Sequence, residues 1–293
     1  MPPSLPLLLL VFAGLLGVPV QAQSRIDCNA LNSRTLKQPV RYCVLLPAGY
    51  ESSTQRYPVL YFLHGLGQNE QTLFNTGGWN LIEDLRQQHK IGDFLIVAPD
   101  GFRSFYIDSY DGKLLYNDFF LDEFMPYIEH KYRVQALRRS RAIGGVSMGG
   151  YGALRFAFAH PELFSSVSAQ SAALMTESPA ELNAAMRSGS ELGRVMTPVF
   201  GQPVDGAHWR ANDPFVLARR HAAALKKLAI YFNCGQNDDF GFEKGAAALH
   251  RQLQSAGILH EYHLYPGDHS LPYFLAHMGE TLEFTSRAFA AAK

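Results

Sequence analysis

The stretch GGVSMGG, Gly144 to Gly150, sets one serine among four glycines where an apolar run gives way to a helical pattern. Glycine inside regular structure costs roughly 0.5–1 kcal/mol relative to alanine, so the cluster calls for a reason beyond packing. Gly145-Val146-Ser147-Met148-Gly149 fits G-x-S-x-G. It lies between a predicted strand, RSRAIGG (Arg139–Gly145), and a predicted helix, Gly149–His160, which Pro161 stops. That context makes the motif informative. A sharp strand-to-helix turn strains the serine backbone, leaves no room for side chains two residues away, and lifts the hydroxyl to the positive end of the helix.

Working outward, apolar strand-like runs alternate with helical stretches. The runs are Val40–Leu46, Tyr57–Gly65, Asp93–Asp100, Arg139–Gly145, Leu163–Ser171, Leu228–Gly235 and His260–Gly267. The helical stretches are Trp79–Lys90, Asn117–Tyr132, Gly149–His160, Phe242–Ala256 and Leu271–Ala290. Near-continuous apolar strands are those covered on both faces. Strand-then-helix alternation implies right-handed crossovers and a mostly parallel sheet, the α/β class. With no linker or internal repeat, residues 23–293 read as one domain. The stretch 172–211 breaks the rhythm, being rich in Ser, Gly, Pro and Met, and reads as a cap-like insertion over the C-terminal edge of the sheet.

A serine hydroxyl needs a base, and the base an orienting acid. In this architecture they follow the nucleophile as acid, then histidine, at the ends of later strands. FNCGQNDDF offers Asp238 and Asp239, and YPGDHSLPYF offers His269. The residues alone leave open which aspartate holds the imidazole and which caps the helix near Phe242. The oxyanion donors are the N–H of Met148, next to the nucleophile, and that of Leu66, flanked by Gly65 and Gly67 after an early strand. His64 reads as a fixture of that loop, and Asp100-Gly101 as a turn. Tyr106, Tyr151, Trp209 and Phe240 are candidates for an aromatic pocket wall, though aromatics at such positions are more often core.

Composition narrows the partners. The 293 residues carry 26 basic and 26 acidic side chains and are 47% hydrophobic, an ordinary enzyme balance. Zero net charge argues against nucleic acid. The expected partner is a small-molecule ester substrate. The eleven histidines form no convincing ligand cluster, and the chemistry requires no metal or cofactor. Leu5–Leu16 is almost purely apolar and VQAQS (Val20–Ser24) offers a cleavage site after Ala22. Residues 1–22 thus read as a secretory signal peptide, although no Lys or Arg precedes the apolar run. No stable membrane insertion is expected after cleavage, and the mature protein is expected outside the cytoplasm. In an oxidising compartment Cys28 and Cys43 are expected to pair across the first extended stretch, leaving Cys234 as a small apolar residue on a central strand. Oligomeric state is not readable.

GGVSMGGYGAL, with HGLG upstream and PELFSSVSAQS downstream, resembles the esterase D family of α/β-hydrolases, which includes S-formylglutathione hydrolases and feruloyl esterases. LLPAGY, DFFLDEFMPYIEHKY and ANDPFVLA extend the resemblance from about Val40 to about Phe274. The resemblance implies Ser147 as nucleophile and His269 as base. Its acid stands three residues after a strand-ending glycine, which selects Asp238. Its oxyanion element matches the loop carrying Leu66.

Overall fold

The computed structural model describes residues 24–187 and 191–291; the expected signal segment, residues 1–22, lies outside them. The strands are β1 (Arg25–Ser33), β2 (Gln38–Leu46), β3 (Val59–Leu63), β4 (Leu95–Pro99), β5 (Arg141–Val146), β6 (Ser166–Gln170), β7 (Ala229–Gly235) and β8 (Glu261–Tyr265). They form one sheet in the order β1-β2-β4-β3-β5-β6-β7-β8, with the β1–β2 and β2–β4 pairs antiparallel and the other pairs parallel. Every strand expected from the apolar runs is present; most are trimmed by a few residues, whereas β2 starts two residues earlier and β5 ends one residue later than expected. The added strand β1 lies against β2 with Cys28 opposite Cys43, and the two are joined by a disulfide.

The helices are α1 (Trp79–Gln87), α2 (Tyr116–Asp118), α3 (Met125–Lys131), α4 (Met148–Ala159), α5 (Pro179–Arg187), α6 (Glu191–Phe200), α7 (Gly206–Asn212), α8 (Pro214–Arg220), α9 (Ala222–Leu225), α10 (Phe242–Ser255) and α11 (Leu271–Ala291). Successive strand residues point to opposite faces, and both faces are covered. Val59, Tyr61, Leu63 and Ile143 join a core with Phe120, Leu154, Phe156 and Leu249, whereas Leu60, Phe62, Ile96 and Ala142 join one with Ile82, Leu85, Met278 and Leu282. Each fully buried side chain of this kind contributes about 1.5–3 kcal/mol. The helix expected over 117–132 is interrupted by a wide π turn at Phe119–Phe124. Pro126, in the first turn of α3, has no N–H to continue the regular ladder.

The stretch 172–211 is more regular than its composition suggests, since it carries α5, α6 and α7. Ser178 and Glu181 cap α5 through a 2.7 Å bond from the Ser178 N–H to the Glu181 carboxylate. Asp205 caps α7 by accepting from Ala207 and His208 N–H at 2.8 and 3.0 Å. Strand order reverses at β3: β4 lies on one side and β5 on the other. The loops leaving β3 and β5 therefore flank a crevice, the usual ligand position in an open parallel sheet.

Candidate active site

Ser147 occupies the turn between β5 and α4 with φ 55° and ψ −118°. A non-glycine residue in such a conformation costs about 1–3 kcal/mol and persists only when its surroundings hold it. Here its N–H donates to Gln170 O at 2.9 Å, and its carbonyl accepts from Tyr151 and Ala173 N–H at 2.9 and 3.1 Å. The neighbouring glycines answer the question their cluster raises. A Cβ on Gly145 would lie 2.4 Å from Leu63 O, and one on Gly149 2.0 Å from the same atom. The end of β3 packs directly against the turn, and a side chain at either position would force it away.

The later strands deliver the partners. Pairing of Gly235 with Tyr265 brings the loops after β7 and β8 together. His269 Nε2 lies 2.8 Å from Ser147 Oγ, and Nδ1 lies 2.7 Å from Asp238 Oδ2. An ionised carboxylate only accepts, so Nδ1–H donates to it and Nε2 is free to take the serine proton. Asp238 Oδ1 accepts from the N–H groups of Phe240 and Phe242 at 3.0 and 3.4 Å. One carboxylate thus both holds the imidazole and caps α10. Asp239 instead accepts the backbone N–H of His269 at 3.2 Å. The Cys234 thiol, buried on β7, donates to Asp238 Oδ2 at 3.5 Å. Burial pushes the Asp238 carboxyl up, but the hydrogen bond and charge of His269 and the two N–H donors outweigh it, so its pKa falls below the usual aspartate value. The imidazole is framed by the rings of Phe240, Phe242 and Phe274, with centroids 4.8, 5.4 and 5.2 Å away.

The loop after β3 passes beside this relay: a Cβ on Gly65 would sit 3.4 Å from Ser147 Cβ. Among the described residues, no protein acceptor engages the N–H of Leu66 or Met148. His64, buried, ties the loop down. Gly101 N–H donates to its Nε2 at 2.8 Å, so the ring proton sits on Nδ1 and is donated to Gly65 O, also at 2.8 Å. Gln68 N–H donates to the same carbonyl at 3.2 Å. In a planar trans peptide the C=O and N–H point opposite ways, so holding the Gly65 carbonyl also aims the Leu66 N–H.

A cavity of about 610 Å³ opens over Ser147, within the usual range for small-molecule sites. Its lining includes Leu66, Phe105, Met148, Leu174, Leu182, Val195, Phe240, Phe242, Leu271 and Phe274. Of the four aromatics weighed as a wall, only Phe240 lines it. Tyr106 is core, its hydroxyl donating to His64 O, and Tyr151 is core, donating to Asn212 O. Trp209 packs on Phe200 away from the cavity. The walls missed in the sequence come from three places. Leu174, Leu182 and Val195 belong to the stretch 172–211, whose helices its composition hides. Phe242 and Phe274 stand four and five residues beyond Asp238 and His269, a proximity that marked them. Phe105 carries no comparable signal. Among the described residues, no group of three or more His, Cys, Asp or Glu side chains is arranged to hold a metal ion.

The sheet order, the serine turn and the loops that bring Asp238 and His269 above it define the α/β-hydrolase fold. Within it, the chain belongs to the esterase family, whose model, described as "Putative esterase", matches residues 33–285. It is 31% identical to a Mycobacterium tuberculosis protein described as an esterase, over 241 residues that cover 77% of this chain and 51% of that one. The chain spans about half the length of the first such curated relatives it matches. It is 25% identical to an acetyl esterase of Caldicellulosiruptor saccharolyticus over 264 residues, covering 87% of this chain and 96% of that one. A solved ferulic acid esterase superposes with TM-score 0.77 at 27% identity, covering 92% of this chain and 99% of that one. An S-formylglutathione hydrolase from Staphylococcus aureus shares the fold, with TM-score 0.71 at 21% identity and coverage of 92% and 98%.

Proposed function

We propose that this protein is a serine carboxylic ester hydrolase acting on short acyl or aryl esters through an acyl-enzyme. The observation that carries this is the continuous relay from Ser147 Oγ to His269 Nε2 at 2.8 Å and from Nδ1 to Asp238 at 2.7 Å. Ser147 Oγ attacks the ester carbonyl as its proton passes to His269 Nε2, and Asp238 stabilises the imidazolium. The N–H groups of Leu66 and Met148 receive the developing oxyanion; one such donor is worth about 10²–10³ in rate. Collapse expels the alcohol, which takes the proton from Nε2. Water, activated by the same nitrogen, then releases the acid.

The acyl group fits the buried apolar wall of Phe105, Leu174, Leu182 and Val195, the last three of which come from the cap-like stretch 172–211. The rivals are thioester cleavage of S-formylglutathione and acyl transfer to an alcohol, which use the same relay. The Cys28–Cys43 bond and the apolar N-terminal run support export to an oxidising compartment, where glutathione chemistry is not at home. Among the described residues, no helix is long and apolar enough to cross a membrane. The test is turnover of p-nitrophenyl butyrate. Ser147→Ala is expected to abolish it while circular dichroism stays native, and full activity in a folded Ser147→Ala protein would end the assignment.

A further inference from the structure

On the reading of Ser147 as nucleophile and His269 as its base, the position of the departing alcohol is constrained. When the tetrahedral intermediate collapses, the carbon–oxygen bond to the alcohol breaks and the proton on Nε2 moves to that oxygen. The alcohol must therefore lie against the His269 side of the cavity. That side is apolar and open. Phe240, 66% exposed, stands edge-to-face with the imidazole at 4.8 Å. Leu271, two residues beyond His269, is 38% exposed, and so is Leu66, in the loop after β3. All three line the cavity. Other large apolar side chains exposed among the described residues, Tyr110, Leu137, Leu259 and Leu264, line no part of it.

Single exposed apolar residues need no explanation, but a cluster at the mouth of a site marks a binding surface. Phe240 is also stacked on Phe242 at 5.5 Å, so its ring is held as a wall before anything binds. The charges nearby point the same way. Asp239 and Asp268, both exposed, flank the His269 loop, and Glu177 and Lys244 stand on the cavity lining. With three carboxylates against one ammonium, an anionic leaving group is disfavoured.

We infer that Phe240, Leu271 and Leu66 form a leaving-group subsite for apolar alcohols, alkyl or aryl. The enzyme then selects esters whose alcohol portion is apolar over esters of polyols and thioesters of charged thiols.

The test holds the acyl group fixed and varies the leaving group: ethyl, butyl and hexyl butyrate and glyceryl monobutyrate, each below its solubility limit, with S-butyrylglutathione alongside. The three alkanols have closely similar acidity, so a trend among them reports binding. A fully buried methylene is worth about 0.8 kcal/mol, or about fourfold; at an open mouth, kcat/KM is expected to rise about tenfold from ethyl to hexyl. In Leu271→Ala and Phe240→Ala the hexyl-to-ethyl ratio, read within each variant, is expected to fall toward one, while Phe240→Leu keeps most of it. A flat series in the wild type, faster turnover of the glyceryl ester or of S-butyrylglutathione, or an unchanged ratio in both alanine variants would overturn the subsite and leave the hydrolase reading standing. Absence of turnover with every substrate would overturn both.

Discussion

Replacing Asp238 by asparagine is the sharpest perturbation of the relay, because the structure dictates how the amide must sit. Oδ1 of Asp238 receives the N–H groups of Phe240 and Phe242, which accept no substitute for an oxygen there. In Asp238→Asn the amide oxygen keeps that place and the NH2 turns toward His269 Nδ1, 2.7 Å away in the native protein. Two donors cannot face each other, so Nδ1 gives up its proton and Nε2 carries it. The nitrogen beside Ser147 Oγ then has no lone pair for the serine proton. The same substitution in a Ser-His-Asp triad costs about 10⁴ in kcat, about 5 kcal/mol of barrier. Asp239→Asn keeps an amide oxygen able to accept the His269 N–H, and one hydrogen bond is worth about 0.5–1.5 kcal/mol, so its activity is expected to stay within about tenfold. Both are assayed as kcat on p-nitrophenyl butyrate, with thermal unfolding as the control for folding. A folded Asp238→Asn protein within tenfold of wild type, or an Asp239→Asn loss exceeding that of Asp238→Asn, would refute this reasoning.

Other perturbations read other parts of the structure. Gly149→Ala drives a Cβ into the Leu63 carbonyl and is expected to cost about 3 kcal/mol or more, measured as the urea midpoint; a shift within error would contradict the packing of the serine turn. The Asp238 carboxyl lies below its ordinary pKa when folded and near 3.9 when unfolded. Its contribution is therefore complete above about pH 4 and is lost as pH falls through the folded value. Urea midpoints from pH 7 to 3 are expected to fall less steeply at the acid end in Asp238→Asn than in the wild type. Removing the Cys28–Cys43 bond, which spans 15 residues, by replacing both cysteines with serine is expected to cost about 3 kcal/mol. Cys234 is fully buried and its thiol is pushed up to about 12 by burial and by Asp238, so a thiol reagent is expected to label one site per chain only after denaturation.

The parallel sheet was legible because strands covered on both faces must be apolar throughout, and those short apolar runs recur between helical stretches. Ser147 was legible for the opposite reason: Gly145 and Gly149 are costly residues whose absence of a side chain is demanded by the Leu63 carbonyl. The choice between Asp238 and Asp239 was not legible from chemistry, since both can accept the same kinds of bond; only the meeting of two loops separates their roles. The helices of 172–211 were hidden behind Ser, Gly, Pro and Met, although Ser178-Pro-Ala-Glu181 is a capping box and Asp205 a good N-cap. The walls were the least legible part. Tyr106 and Tyr151 look like Phe240 in one dimension and differ only in which way the fold turns them, a property of packing across elements distant in sequence.

The account rests on Ser147 being the group that bonds to the acyl carbon. Treating the protein with a fluorophosphonate and digesting it for mass spectrometry reads this directly. One phosphonyl group per chain on the peptide carrying Ser147, appearing in step with loss of esterase activity and absent from Ser147→Ala, is the expected result. Inactivation with the adduct on any other residue, or labelling undiminished in Ser147→Ala, would contradict it.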